Sequence, residues 1–448
     1  MAGEKQYIEL YTENKGLINR NSCPLMNSLR DKAFEDFCRL GFPSQKVERY
    51  KYTDVSKAFA PNYGVNLNRM EFSVNPYEAF HCNVPNLSTS LFFIVNDSFY
   101  KKVQGIPPLP DGVEIGSLRE LAEKNPEKFK KYYGRLADTS SDALTALNTM
   151  LVQDGLLVFI PKSTKLTRTL QIVNILQADV DLLANRRILI VLEEGAKANI
   201  LLCDHTGNAN KYLSTQVIEI YAGKGSELEF YELEETLTEN HRFSNLYLEE
   251  AEDADVIMGS ITLQGGLSRN KCDLHLCGRG AKLRNYGAVI ADKAQHTDNN
   301  ILVIHEAEKC QSDILYKYVL DGHAVGAFTG HVLVRPGAQK TESQETNANL
   351  CVSDTARMYT QPMLEIYADD VKCNHGSSVG NLDKQALFYM QQRGLPKEEA
   401  YLLLQHAFLY DVVRRISLEP LRERLSLLIE KRFRGELSRC KSCAKCGK

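Results

Sequence analysis

Residues 195–228 read GAKANILLCDHTGNANKYLSTQVIEIYAGKGSEL, a stretch that begins and ends on one pattern: a glycine, a small residue, a polar residue and an apolar one. The two copies, Gly195-Ala196-Lys197-Ala198 and Gly225-Ser226-Glu227-Leu228, are followed by Asp253-Ala254-Asp255-Val256 and Gly280-Ala281-Lys282-Leu283, at intervals of 30, 28 and 27 residues. A near-constant period of this size marks a repeat architecture. The segments between the turns are strand-like, including RILIVLE (187–193), VIEIYA (217–222), LEFYEL (228–233) and VIMGSITL (256–263), with LLVFIP (156–161), LQIVNIL (170–176) and HVLVRP (331–336) on either side. Each period holds several short strands and no helix. Stacked coils of a β-helix explain this, and a large antiparallel sandwich with regular hairpins is the alternative that periodicity leaves open. The small residue after the glycine suits a corner where successive coils pass close together.

Outward from this stretch the texture changes. Four parts are expected: a helical and mixed region at 1–135, the repeat core at 136–382, a helical region at 383–434 and a cysteine-rich tail at 435–448. In the first, Leu29, Ala33, Phe34, Phe37 and Leu40 recur at helical spacing before Gly41 and Pro43, and Ser117 is placed to cap LRELAEK, with a restart at Pro126. In the third, Pro396 opens a helix whose apolar stripe is Ala400, Leu403, Leu404, Ala407 and Phe408, and a following helix puts Leu421, Leu425, Leu428 and Ile429 on one face. Two such helices in series make a helical hairpin.

The 448 residues carry 54 Lys and Arg against 57 Asp and Glu, and this net charge of −3 argues against bulk nucleic-acid binding. The balance is uneven: residues 384–448 hold 14 basic against 7 acidic side chains, a solvated basic face that also suits an acidic protein surface. No run of about 18 apolar residues is present, so no membrane span is expected. The polar start, MAGEKQYIELYTENK, has neither secretory nor transit character, which predicts a cytosolic protein. Twelve dispersed cysteines do not form a disulfide framework.

Two groups of residues could carry chemistry. Cys373 and His375 are separated by one residue at the end of a strand-like run, so they share a face; a thiolate beside an imidazole suits iron or a nascent iron–sulfur cluster. Two ligands from one chain cannot complete a four-coordinate site, so a site shared with another subunit is the sensible reading. The tail Cys440-Lys-Ser-Cys443-Ala-Lys-Cys446 has the spacing that begins a ferredoxin-type ligand run but lacks the fourth cysteine. It reads either as a labile metal handle or as an exposed thiol cluster. Cys203, Cys272, Cys277, Cys310 and Cys351 read as core filling, and His205, His275, His305, His323 and His331 as satisfied or solvated histidines.

The segment LEIYADDVKCNHGSSVGNLDKQALFYMQQRGL (364–395) resembles the shared C-terminal signature of the SufB/SufD family, subunits of the SUF iron–sulfur cluster assembly scaffold. ESQETNANLCVSD (342–354) and ALNTMLVQDGLLVFIPK (146–162) extend the likeness, and GFPSQKVERYKYTDV (41–55) is similar to the N-terminal element of the SufD branch, with Tyr50 near the position of the family's usual Trp. The resemblance implies a right-handed parallel β-helix between helical ends. It also implies a non-catalytic scaffold that pairs with a SufB-type paralogue through the β-helices and docks a SufC-type ABC ATPase on its C-terminal helices. Accordingly no G-x-x-x-x-G-K-[ST] loop is present. His375, with a cysteine of the sister subunit and Cys373 nearby, would hold a transient cluster. Reduced flavin is a further ligand the family raises for the assembled complex, with none expected on the isolated chain. A SufB-like role or a homodimer is the alternative. A carbohydrate-active β-helix enzyme is disfavoured, because the chain has no Trp for a sugar cleft.

Overall fold

The computed structural model describes residues 2–79, 84 and 87–437. Between Leu156 and Gly380 the chain winds through about eight coils, and each coil gives one strand to each of two ten-stranded sheets. Pairing between successive coils is parallel, as a solenoid requires and a sandwich of hairpins does not. The register follows the period of the turns: Lys197 pairs with Glu227, Glu227 with Asp255, and Asp255 with Lys282. It continues past the last turn visible in the sequence, from Lys282 to Gln311, Glu342 and Lys372, at steps of 29, 31 and 30 residues.

The corners explain why the sequence pattern fades. Gly195, Gly225 and Gly280 adopt the left-handed backbone region that glycine enters without strain, but so do Asp253, Lys309 and Lys340 at the equivalent corners (φ 54°, 60° and 62°). What they share is one hydrogen bond. The backbone N–H of each donates to a carbonyl one coil further on: Gly195 to Lys224, Gly225 to Glu252, Asp253 to Arg279, Gly280 to Glu308, Lys309 to Gln339 and Lys340 to Asp370, at 2.6–3.0 Å. The following small side chains, Ala196, Ser226, Ala254 and Ala281, are sealed inside, with Cys310 and Thr341 at the same place one and two coils on.

Along each strand alternate residues enter the lumen between the sheets. One half of the lumen is apolar, built by rows such as Ile200, Phe230, Met258 and Ile190, Ile220, Leu248. The other half is polar and runs along the solenoid axis. Arg186 donates to Asp204 (2.5 Å), Arg242 donates to Asp204 (3.0 Å) and Glu232 (2.7 Å) and is bonded to Asn270, Asn270 donates to Asn299 (2.9 Å), and Asn299 donates to the Tyr318 hydroxyl (2.6 Å). Burial alone would raise Asp204, but Arg242 and Arg186 outweigh it and hold the carboxyl below its usual range. Burying charge costs free energy unless each group is paired, and this chain of bonds supplies the pairing.

The two ends of the solenoid differ. At the N-terminal end the sheets finish in short strands, Ser98–Phe99 and Glu114–Ser117, and the helices Leu118–Lys124 and Pro126–Phe129 pack Leu118, Ala122 and Phe129 against Leu157, Phe159 and Leu189. Ser117 caps the first of them by accepting from the Glu120 N–H, as its position predicts. A 19-residue helix, Ala2–Arg20, and the buried helix Ala143–Leu151 complete this region. At the C-terminal end the helices Lys397–Val413 and Glu419–Phe433 fold back on one sheet. Leu409, Val412, Leu421, Leu425 and Leu428 pack on Leu233, Ile261, Leu315 and Val319. Arg432 fastens them, donating to the Leu263 carbonyl (2.6 Å) and Asp292 (2.9 Å).

The stripe expected on the first of these helices is corrected in part. Ala400 is buried and Phe408 packs partly against the sheet as expected, but Leu403 and Ala407 face out, and the docking face is centred on Leu409, Val412 and Val413. Leucines on both sides of this helix gave an ambiguous pattern, and the solenoid wall selected the rarer face. No helix among the described residues is long and apolar enough to cross a membrane.

Glu234 tests the lumen. It is buried, accepts from the Ser268 hydroxyl (2.6 Å) with one oxygen and has no partner for the other. Burial pushes its carboxyl up to about 7. A carboxyl with a raised folded-state value holds a proton the unfolded chain has released, so its contribution to stability is lost as pH rises from about 4.5 to 7. Glu234→Gln keeps the Ser268 bond and should remove that loss. Its advantage in denaturant unfolding is expected to be near zero at pH 4.5 and on the order of 3 kcal/mol above pH 7; an advantage that does not vary with pH would refute the assignment.

Candidate functional site

The last coil consists of the strands Arg357–Ile366 and Lys372–Gly380, each paired on one side only. Their outer backbone groups form two open edges about ten residues long. Such edges are normally blunted by charge, proline or brevity. Pro362 marks the first strand as an edge. The second, Lys372-Cys-Asn-His-Gly-Ser-Ser-Val-Gly380, carries one charge and no proline. Apolar side chains are exposed around it: Tyr359, Ile366, Tyr367 (59%) and Val379 (50%). An unblunted strand edge ringed with exposed apolar groups is a surface made for pairing.

Cys373 and His375 lie on this strand, and the structure brings them onto one face. Cys373 is half-buried and packs against the apolar filling of the lumen; His375, two residues on, is exposed at the mouth. Burial pushes the Cys373 thiol up, and the Ser343 backbone N–H partly offsets it. The flanking Lys372 and Asn374 face the other way, into a cleft of about 670 Å³ on the outside of the sheet beside Arg415. Among the described residues no three His, Cys, Asp or Glu side chains stand close enough to hold a metal ion together, so the last coil offers a partial ligand set. Cys440, Cys443 and Cys446 lie outside the described residues.

One coil inward the register sets Ser343 behind Cys373 and Glu345 behind His375. Ser343 shares a hydroxyl contact with Ser312 (2.8 Å), which in turn meets His305 Nε2 (2.9 Å). His305 is sealed, and burial lowers it to about 4. Glu345 is fully buried, with neither carboxyl oxygen bonded, and burial pushes it up to about 8. These second-row residues went unnoticed in the sequence, though a signal was there: subtracting the 30-residue step from 373 and 375 gives 343 and 345. Of the other cysteines, Cys203, Cys272 and Cys310 are sealed in the core, Cys351 is half-buried, and Cys277 is exposed, opposite in direction to Cys272 as strand alternation requires.

Brief alkylation with peptide mapping checks this placement. Cys373, half-buried at an open mouth, should be modified well ahead of Cys203, Cys272 and Cys310; equal protection of all four would mean that the end of the solenoid is closed.

Comparison with known proteins adds the following. Residues 1–172 match the family described as SufBD protein N-terminal region, and residues 175–408, more than half of the chain, match the SUF system FeS cluster assembly, SufBD core domain. The chain is 25% identical over 425 residues to the iron–sulfur cluster assembly SufBD family protein slr0076 of Synechocystis sp., covering 92% of this chain and 90% of that one. It is 25% identical over 405 residues to the iron–sulfur cluster assembly protein SufD of Escherichia coli, covering 90% and 92%. It is 22% identical over 433 residues to the chloroplastic protein ABCI7 of Arabidopsis thaliana, covering 93% and 88%.

Proposed function

From the premise that the chain belongs to the SufB/SufD family of SUF iron–sulfur cluster assembly proteins, we infer that it is the SufD-type scaffold subunit, cytosolic and non-catalytic. The carrying observation is the uncapped last coil: an edge strand free to pair, with Cys373 and His375 presented together on it. In this reading a SufB-type sister adds its own end strands there, so that two incomplete ligand sets meet. His375 then holds the nascent cluster, the cargo of the assembly, with a cysteine of the sister, and Cys373 stands nearby. A soft thiolate beside a borderline imidazole matches the preferences of iron.

The C-terminal helices are read as the dock for the SufC-type ATPase. Their inner face is used up by the solenoid, while Leu403, Tyr410 and Leu427, with Phe388 and Tyr389 on the helix Lys384–Gln392, remain exposed amid the basic excess. Exposed aromatics among arginines are the composition of an interface core. The division at 1–135, 136–382, 383–434 and 435–448 follows these roles: closure, scaffold, dock and tail. Reduced flavin does not fit the residues described. The cleft beside Lys372 and Arg415 is open and lined by charge, including Lys282, Arg284 and Asp313, with Tyr286 its single ring, so no step is routed through flavin.

The deciding experiment is the mass of the complex formed on co-expression with the SufB-like and SufC-like proteins of the same source. One copy of this chain, one sister and two ATPases are expected; a chain that stays alone or pairs only with itself would overturn the reading. Within that complex His375→Ala should leave the assembly intact and lower its iron and acid-labile sulfide several-fold, and unchanged content would remove His375 from the site.

A further inference from the structure

Glu345, one coil inward of the open end, has a role that nothing above explains. Its exposure is 0%, and both carboxyl oxygens lack a hydrogen-bond partner, a condition shared among the described carboxyls of the solenoid by Glu250, which lies in mid-solenoid and away from the open end. An unpaired buried carboxyl costs folding free energy. The fold also makes room for it. Gly330, on the facing sheet, has no side chain, and a Cβ there would lie 2.2 Å from Glu345 Oε1. A glycine hollow is thus occupied by a carboxyl that binds nothing within it.

Its address is equally specific. Glu345 is in register with His375, one strand spacing of about 4.8 Å further in, and Ser343 stands in the same relation to Cys373. Residues of equal parity on paired parallel strands project to the same side, so Glu345 lies on the row that ends at the open mouth. Thr360, on the facing last strand, also has a buried hydroxyl without a partner, close to where the solenoid stops.

We propose that Glu345 is an oxygen ligand for the ferrous ion received at the last coil, making Cys373, His375 and Glu345 one chain's share of the site. In the free chain the three do not stand around a common point. Binding therefore requires the Glu345 side chain to rotate out of the Gly330 hollow toward His375, delivering a hard oxygen donor to an ion otherwise met by nitrogen and sulfur. A carboxylate completes the charge balance for a divalent ion. What distinguishes Glu345 from the equally unpaired Glu250 is its place in register behind His375 and the hollow that Gly330 leaves for it. The inference rests on the placement of the cluster site proposed above.

Cobalt(II) serves as the probe, titrated into the complex with the sister subunit and followed by its ligand-field and thiolate charge-transfer absorption. All proteins carry Cys440→Ser, Cys443→Ser and Cys446→Ser, so that the tail takes up no ion. Glu345→Met fills the same volume without a donor, and Glu345→Gln keeps the shape; both should weaken cobalt binding on the order of tenfold or more. Glu345→Met should at the same time raise the melting temperature, which a merely structural carboxyl removed with loss of fold would not do. Full affinity in both Glu345 variants with loss in His375→Ala would overturn the inference and leave the cluster-site reading standing. Full affinity in all three would overturn both.

Discussion

A single hydrogen bond, repeated at six successive corners along one side of the solenoid, sets the geometry of this protein. The residue that turns the chain left-handed gives its N–H to the carbonyl of the next coil, and this fixes how far one coil can drift along the axis before the next begins. Because the corner bond fixes the register, a step of 27 to 31 residues returns each side chain to the same row. Rows are what the rest of the structure is made from. An apolar row stays apolar over many coils, and a charged row can pair with its neighbours above and below. A one-residue slip would turn every side chain of a strand over, exchanging lumen and surface.

This constraint also explains why the lumen can be half polar. Arg186, Asp204 and Arg242 could not be buried singly without a large desolvation cost. Stacked at constant spacing, each arginine finds its carboxylate across the lumen on the facing sheet, and the bonds extend from Asn96, whose carbonyl accepts from Arg186 (2.8 Å), to Tyr318. The polar half constrains what the apolar half leaves free. Leucine and isoleucine rows tolerate small slips in register, whereas an arginine displaced by one strand spacing loses its carboxylate.

The sequence disclosed this plan unevenly, and the reasons are physical. Gly195, Gly225 and Gly280 mark corners because glycine accepts positive φ freely; Lys309 and Lys340 hold the same conformation by virtue of their corner bonds, and nothing in a lysine announces it. Cys373 and His375 stood out because their residue types are rare and their spacing puts them on one face. Glu345 and Ser343 did not, because glutamate and serine in a strand usually face water, and their burial depends on a neighbour thirty residues away. Leu403 was misread because helical periodicity shows that a face is apolar but not which of two apolar faces the solenoid will cover. Local chemistry was legible, and contacts made through the repeat became legible only once the step was known.

The unlike ends of the solenoid carry one more implication. At one end the sheets stop in strands of two and four residues, with Phe99, Val103, Ile106 and Ile115 packed on the filling of the lumen; at the other they stop in strands of nine and ten residues whose outer edges pair with no strand among the described residues. Stacked coils with two adhesive ends would polymerise, each molecule templating the next into an unlimited filament. With one end terminated, end-on growth halts after a single joining event. The closed N-terminal side would therefore act as a chain stopper, so that end-on joining through the last coil would give pairs rather than fibres.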